Sequence, residues 1–534
     1  MPKPEILEML KNKYIYIILI DVSFLVYANS LNNAFVSDDI PGIVTNPYIS
    51  QPSRFWLEPT PFSESLNYLM GQYNPFIYHL TSIILHALNT ILVFLFLRLF
   101  FPTAASFLGS CLFAVHPIHT EAVTWISGRP YLMLFLFILT TYLLYQKAIG
   151  SSLIKDVPPD KGRRVVTNEK SGAFDIRYYI VSLLVFIYFI IQHFTFYALL
   201  PFFLILSDVT FGRWRKNYKL WFPFLSIVIV RLIFARVEVV TRVSAVAKEI
   251  GKAVTWSNPL FNMVYSFFCH LGLLFWPARL TLYHEPAIIS SFMLKVGIAA
   301  LFILAFGSLF MFKKAKEIFF ALALFGLFLL PTYSPVMISW LLAERYAYFP
   351  SIALSIGLAF LYDRYLSPMK NIEKKNLLIG ILIFILAAYC VRTVARNEDW
   401  KTPERFWRQT VLASPDSPRA HNNMGDVYSN EGNIEGAIRE FSKAIELKDD
   451  YADAYHNLAT TYYRQGNIKE ATRLYEQAVS FNPDLFESLF NLGIIYLDTG
   501  HTDWAIKEFQ KAVQLRPQDA NIMQALEAAL QKKK

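Results

Sequence analysis

The stretch Phe35-Val-Ser-Asp38-Asp39-Ile-Pro-Gly42 sets two adjacent carboxylates just beyond the first apolar run of the chain. Neighbouring side chains point oppositely in a strand and diverge by about 100° in a helix. Asp38 and Asp39 can therefore do different things, one facing a reacting group and the other holding the loop. A carboxylate beside an acceptor hydroxyl can take its proton as a general base. The same pair before Pro41-Gly42 is also ordinary turn chemistry, so its meaning depends on what else the chain brings to that face.

A second constellation is His116-Pro-Ile-His119-Thr-Glu121-Ala-Val-Thr-Trp-Ile-Ser-Gly128-Arg129, between two apolar runs. His119 and Glu121 are too close for a helical zinc pair and no cysteine is near, so no metal site is expected. Charge at membrane depth is costly, which makes an ionisable cluster here a functional candidate. Arg129 can hold a phosphate, and Glu121 can pair with it or orient a sugar. The alternative is a buried Glu–Arg pair that fixes two helices. Glu344-Arg345-Tyr346-Ala-Tyr348-Phe-Pro350 opens another apolar run. The planar fork of Arg345 suits phosphate oxygens, while its alternative is a snorkelling arginine in an aromatic belt. His193, His284 and Glu285 are additional candidates, although a lone histidine more often packs than acts. Asp21, inside the first apolar run, is expected to face the bundle interior.

These residues need elements to position them, and composition says which. The 534-residue chain is 54% hydrophobic and 16% aromatic, too apolar for a soluble protein of this length. From Arg396 onward it holds 17 Lys+Arg against 21 Asp+Glu, a net of −4, and the remainder holds 33 against 20, a net of +13. The basic part is the apolar part, so its charge reads as topology and not as a nucleic-acid footprint. Cys111, Cys269 and Cys390 lie far apart in apolar stretches, with neither disulfide nor metal spacing. Apolar runs fall at 13–31, 76–100, 103–118, 130–147, 177–192, 193–209, 219–236, 258–277, 290–312, 318–334, 345–362 and 376–394. The basic connectors from Lys147 to Arg177, at Arg213-Trp-Arg-Lys, at Lys313-Lys-Ala-Lys and around Lys370–Lys375 belong in the cytoplasm. Reading 258–277 as re-entrant or interfacial leaves about eleven spans of the roughly 20 residues that a bilayer requires. The first run is an uncleaved signal anchor on this reading. The N-terminus is then cytoplasmic, and the C-terminal region lies outside together with the candidate groups above other than Asp21.

After about Ser417 the pattern changes to a 34-residue repeat. Met424-Gly425, Leu458-Ala459 and Leu492-Gly493 recur at that spacing, as do Tyr428, Tyr462 and Tyr496, and Gly432, Gly466 and Gly500. Ala437, Ala471 and Ala505, then Phe441, Tyr475 and Phe509, keep the register. This is the tetratricopeptide pattern, with small residues where paired helices approach and aromatics filling the gaps. The expected division is a transmembrane domain over 1–396 with a first outer loop over 32–75, a linker and partial repeat over 397–417, and three repeats with a capping helix over 418–534. The fold class is all-α.

Taken in order, Phe35-Val-Ser-Asp38-Asp39, Asn46-Pro47, His116 to Val123 with Gly128-Arg129, Ala343 to Ser351 and the repeats resemble the transmembrane-and-tetratricopeptide-repeat O-mannosyltransferases. About three and a half repeats are few for the animal members and point to a bacterial relative. The resemblance implies a GT-C glycosyltransferase fold. It also implies transfer of a sugar, mannose or a similar hexose, from a polyprenyl-phosphate donor to protein Ser/Thr hydroxyls on the non-cytoplasmic face. Asp38 and Asp39 take the catalytic positions on that view. His116, His119, Glu121, Arg129, Glu344 and Arg345 are the donor phosphate and sugar groups. The lipid-linked sugar is a substrate, no cofactor is implied, and the repeats are available to a polypeptide acceptor. The competing reading is a non-enzymatic membrane scaffold whose repeats recruit a partner. Loss of the outer-face charges would leave such a scaffold intact.

Overall fold

The computed structural model describes residues 4–151, 174–192, 194–250, 259–284, 290–333 and 341–533. Their regular structure is entirely helical, with no strand among the described residues. The chain forms two compact units, Met1–Leu282 with Pro286–Thr402, and Tyr283–Glu285 with Pro403–Lys534.

In the first unit α1 (Pro4–Tyr27) leads through a long loop to α2 (Pro59–Gly71) and α3 (Pro75–Leu97). Asn74 starts α3 by accepting from Phe76 N at 3.1 Å, and Pro75 takes the first helical position, where its missing N–H costs nothing. The His116–Arg129 stretch spans the end of α4 (Thr103–Val115), the short α5 (Thr120–Thr124) and the start of α6 (Arg129–Ala148). Next come α7 (Ile176–Gln192), α8 (Phe194–Tyr197), α9 (Leu200–Thr210) and α10 (Trp214–Ile250). The unit closes with α11 (Pro259–Phe275), α12 (Ser291–Lys314), α13 (Lys316–Tyr333), α14 (Ile352–Leu361) and α15 (Ile372–Asp399). The expected start of the linker therefore falls in the last turn of α15.

Seven helices among the described residues are long and apolar enough to cross a bilayer, and the chain is a multi-pass membrane protein. Several apolar runs of the sequence are shorter as helices because prolines interrupt them. α4 has 13 residues between Pro102 and Pro117, and α9 has 11 with Pro201 near its start. Both fall below the roughly 20 residues of a full crossing. None of the apolar stretch of α12 and only 6% of that of α15 is buried, so these two helices present their side chains to lipid. Asp21 departs from expectation. It is exposed, because α1 buries Leu19, Ser23, Val26 and Tyr27 and turns position 21 away from them.

The core is aromatic. Tyr142 stacks on Phe203 at 4.2 Å and Phe328 on Phe349 at 3.7 Å, in a cluster that joins α1, α3, α4, α6, α7, α9, α13 and α14. Offset aromatic pairs add about 0.5–1.5 kcal/mol each beyond their buried area. At one end of this core Asp208 is fully buried. It accepts from Tyr145 at 2.6 Å, Asn217 at 3.1 Å and Trp221 at 3.0 Å and pairs with Arg213 at 3.2 Å. These bonds compensate its desolvation and fasten α6, α9 and α10 together.

The second unit stacks α16 (Pro403–Ala413), α17 (Pro418–Asn430), α18 (Ile434–Leu447), α19 (Ala452–Arg464), α20 (Ile468–Phe481), α21 (Phe486–Asp498), α22 (Thr502–Leu515) and α23 (Ala520–Lys533). The 34-residue register is that of helix pairs. Gly432, Gly466 and Gly500 stand between the two helices of each pair at φ +76°, +79° and +84°, a left-handed turn that glycine makes without strain.

Candidate functional site

Ser37 has φ +53°, a backbone conformation that few non-glycine residues adopt. The turn sends the two aspartates apart. Asp39 is 1% exposed. Its Oδ1 accepts from Ser127 N at 2.8 Å and from Ser127 Oγ at 2.6 Å, and its Oδ2 accepts from Val36 N at 3.1 Å. Burial pushes its pKa up to about 6, against the pull of the Ser127 and Val36 bonds. Asp38 is exposed, and its carboxylate meets Ser37 Oγ at 3.4 Å.

Ser127 is held next to Arg129, which is fully buried. Arg129 Nη1 donates to Ser63 Oγ at 2.8 Å, Nη2 to the Tyr78 carbonyl at 2.9 Å and Nε to Ser82 Oγ at 3.4 Å. It thus ties α2 and α3 to the start of α6. Glu64, 8% exposed, stands close by. Burial raises its pKa to about 7, while the positive charge of Arg129 draws it down. A Cβ on Gly128 would lie 2.4 Å from the Glu121 carbonyl oxygen, so this position must lack a side chain for the two turns to touch.

Glu121 pairs with Arg345 and not with Arg129. Arg345 N donates to Glu121 Oε2 at 2.8 Å, and the Arg345 Nη1 is paired with Glu121 Oε1. The guanidinium carbon lies 5.5 Å from the Trp125 ring centroid, 6.0 Å from Tyr131 and 5.1 Å from Tyr346. Three aromatic faces and one carboxylate thus hold this cation in place. Its neighbour Glu344 is buried and lies 3.4 Å from Arg396, whose Nη1 reaches Asp399 at 3.2 Å.

The histidines face inward. His116 accepts from Ile118 N at Nδ1, 3.2 Å, so its Nε2–H donates to the Leu274 carbonyl at 2.8 Å. His119 Nε2 lies 2.8 Å from Ser351 Oγ. Behind them Asn89 donates to Tyr348 Oη at 3.2 Å, Tyr348 Oη donates to His86 Nδ1 at 2.7 Å, and His86 Nε2 donates to the Ala114 carbonyl at 3.1 Å. This directed chain locks α3, α4 and the Glu344–Ser351 segment together. His284 is half-buried in the second unit, and His193 and Glu285 lie outside the described residues.

The structure adds Glu64, Ser127, His86, Tyr348 and Arg396 to the groups read from sequence. Arg396 carried a signal, being an arginine in the last turn of an apolar helix, where a cation suits the helix C-terminus. The others have no local mark, since each is defined by a partner distant in sequence.

Residues 425–466 and 461–500 match the TPR repeat model, and 486–519 match the tetratricopeptide repeat model. Protein O-mannosyl-transferase TMTC3 of Homo sapiens is 27% identical over 477 residues, which covers 79% of this chain and 50% of that protein. Protein O-mannosyl-transferase Tmtc3 of Drosophila melanogaster is 25% identical over 79% of this chain and 54% of its own length. Tmtc1 of the same organism is 36% identical over 148 residues, 24% of this chain and 17% of that protein. The chain spans about half the length of the TMTC3 relatives it matches. Among solved structures, that of MamA protein is 22% identical over 24% of this chain and 72% of that one, with a TM-score of 0.23. By its sequence, over some four-fifths of its length, the chain is similar to the TMTC-family protein O-mannosyl-transferases, and it carries tetratricopeptide repeats.

Proposed function

We propose that this chain is an integral-membrane glycosyltransferase of GT-C type. It moves a sugar, mannose or a similar hexose, from a polyprenyl-phosphate donor to Ser/Thr hydroxyls of protein on the non-cytoplasmic side. The names of its relatives support the reaction class, and the divergence of Asp38 and Asp39 carries the assignment of roles. Asp39 is engaged at both oxygens and serves the loop. Asp38 is the exposed carboxylate and acts as the general base. The acceptor oxygen attacks the anomeric carbon as its proton passes to Asp38. The bond from that carbon to the phosphate oxygen breaks, and the phosphate leaves with the electron pair. One displacement inverts the centre. Arg345, oriented by Glu121 and the rings of Trp125, Tyr131 and Tyr346, meets the charge that grows on the departing phosphate. Arg129 has its nitrogens engaged with Ser63, Tyr78 and Ser82 and serves as a positioning residue. The N-terminus lies in the cytoplasm of a bacterial cell and the repeats lie on the non-cytoplasmic side of the inner membrane, where they receive a polypeptide acceptor.

Transfer from radiolabelled polyprenyl-phosphate mannose to an exported Ser/Thr-rich acceptor, in membranes from a host lacking related enzymes, tests this. Asp38→Asn is expected to lose about 10²–10⁴-fold in rate, the usual weight of a general base. Full transfer by Asp38→Asn removes it from that role. Failure of wild type with every lipid-linked sugar, while the repeats still capture a partner, would leave the scaffold reading in its place.

A further inference from the structure

The amphipathicity of α2 is inverted. Beyond Pro59 at its start, its buried side chains are polar, with Thr60 6%, Glu64 8%, Ser65 0% and Asn67 3% exposed. Its exposed ones are apolar, with Leu66 39%, Leu69 58% and Met70 71% exposed, followed by Tyr73 at 47%. At about 100° per residue, Leu66, Leu69 and Met70 fall within one arc roughly 100° wide, and Tyr73 follows just beyond the helix end. The polar side bonds to other parts of the protein. Ser65 Oγ donates to the Ile49 carbonyl, Asn67 Nδ2 donates to Thr81 Oγ1 at 2.8 Å, and Ser63 Oγ accepts from Arg129. A helix that faces water shows the opposite arrangement.

Its place in the chain identifies what covers the apolar arc. α2 ends at Gly71 and α3, one of the apolar crossing helices, begins at Pro75. The residues between them reach at most about 11 Å when extended, so the end of α2 lies at the level of the membrane surface. Exposed Trp56 and Tyr48, at 62% and 42%, are of the residue types that sit among lipid headgroups. Arg54 stacks over Tyr48 at 3.6 Å, which presents a guanidinium beside that ring at headgroup height.

We infer that α2 lies in the plane of the outer membrane surface, with Leu66, Leu69, Met70 and Tyr73 sunk into the acyl boundary, and that lipid itself is the partner of this face. Burial of such a stripe follows the ordinary physics of interfacial helices. The consequence reaches the site. Arg129 joins α2 to the turn where Ser127 holds Asp39, so the bilayer fixes the height of Asp38. The inference needs α3 to span but does not need the transferase reading.

The test uses the full chain in phosphatidylcholine vesicles, with Cys111, Cys269 and Cys390 replaced by serine. Nitroxide labels go on Met70→Cys and Leu66→Cys, and on Ser53→Cys, which is exposed in the same loop, as the aqueous reference. The ratio of collision with oxygen to collision with a water-soluble nickel chelate is expected to be several-fold higher at positions 66 and 70 than at 53. Equal ratios would mean that the stripe faces water and would overturn the inference. Exclusion of both reagents would mean that protein, such as a second copy of the chain, covers it, and would overturn it too. Quenching by brominated lipid gives a reading with the native cysteines. Trp56→Phe is expected to remove part of the wild-type quenching, and an unchanged signal counts against the inference.

Discussion

At the scale of single residues, the adjacent aspartates are separated by burial. Asp39 has its pKa raised by burial to about 6 from an ordinary 3.8. The folded chain therefore keeps a proton that the unfolded chain has released between those values. The resulting stabilisation is complete below about pH 4 and is lost as pH rises through about 6. On lowering the pH from about 7 to about 5, wild type is expected to gain about 1 kcal/mol over Asp39→Asn. Thermal unfolding in detergent at the two pH values measures this, and equal gains would mean that Asp39 titrates normally. Arg345 makes a second case. Lysine keeps the charge but loses the planar fork that lies among Trp125, Tyr131 and Tyr346. Arg345→Lys is expected to cut transfer at least tenfold, on the scale of one charge-assisted bond, about 1.5–3 kcal/mol. Glu121→Gln leaves that cation buried without its counter-charge and is expected to cost about 3–5 kcal/mol of stability. A melting temperature unchanged in Glu121→Gln would mean that the pair does not form.

At the scale of elements, close backbone approach sets the site. A methyl at position 128 would meet the Glu121 carbonyl at 2.4 Å and the Ala122 Cα at 3.0 Å. Neither is a flexible group, so Gly128→Ala must push apart the turns that carry Glu121 and Arg129. A loss of at least 1–3 kcal/mol is expected by analogy with overpacked cores, together with a fall in transfer. The repeats offer a comparison. A Cβ on Gly425 would lie 2.6 Å from atoms of the Phe441 ring, a side chain that can shift. Gly425→Ala is therefore expected to cost less than Gly128→Ala. Unfolding of the two variants side by side checks the order, and the reverse order would show that the Phe441 ring is the more rigid obstacle.

At the scale of the whole molecule, the two units have separate internal packing and different chemistry. The apolar unit carries the candidate groups Asp38 and Arg345, and the repeat unit offers helix surfaces for a polypeptide. If the repeats select the acceptor, a chain ending at Thr402 is expected to insert in the membrane and still modify a short Ser/Thr peptide. Its kcat/KM for a protein acceptor is expected to fall by more than about tenfold, the loss of 1.4 kcal/mol or more of binding. Equal losses on peptide and protein would place the contribution of the repeats in stability and not in selection.

The sequence by itself determined whatever is local and periodic. The 34-residue register marked Gly432, Gly466 and Gly500 as turns, and the apolar runs marked a multi-pass chain, because each pattern is set by neighbours a few residues away. It also singled out Asp38-Asp39, Glu121, Arg129 and Arg345 as the charges of interest. Only the tertiary structure decided what those charges touch. Glu121 and Arg345 are 224 residues apart and meet through packing, whereas Arg129, eight positions from Glu121 in sequence, turns instead to α2 and α3. Prolines divided apolar runs that composition alone joined, and the buried face of α1 left Asp21 outside. Which of two identical carboxylates stays in water depends on a backbone turn at Ser37 and on Ser127, 88 residues from Asp39. A desolvated carboxylate persists only where the fold delivers donors to it.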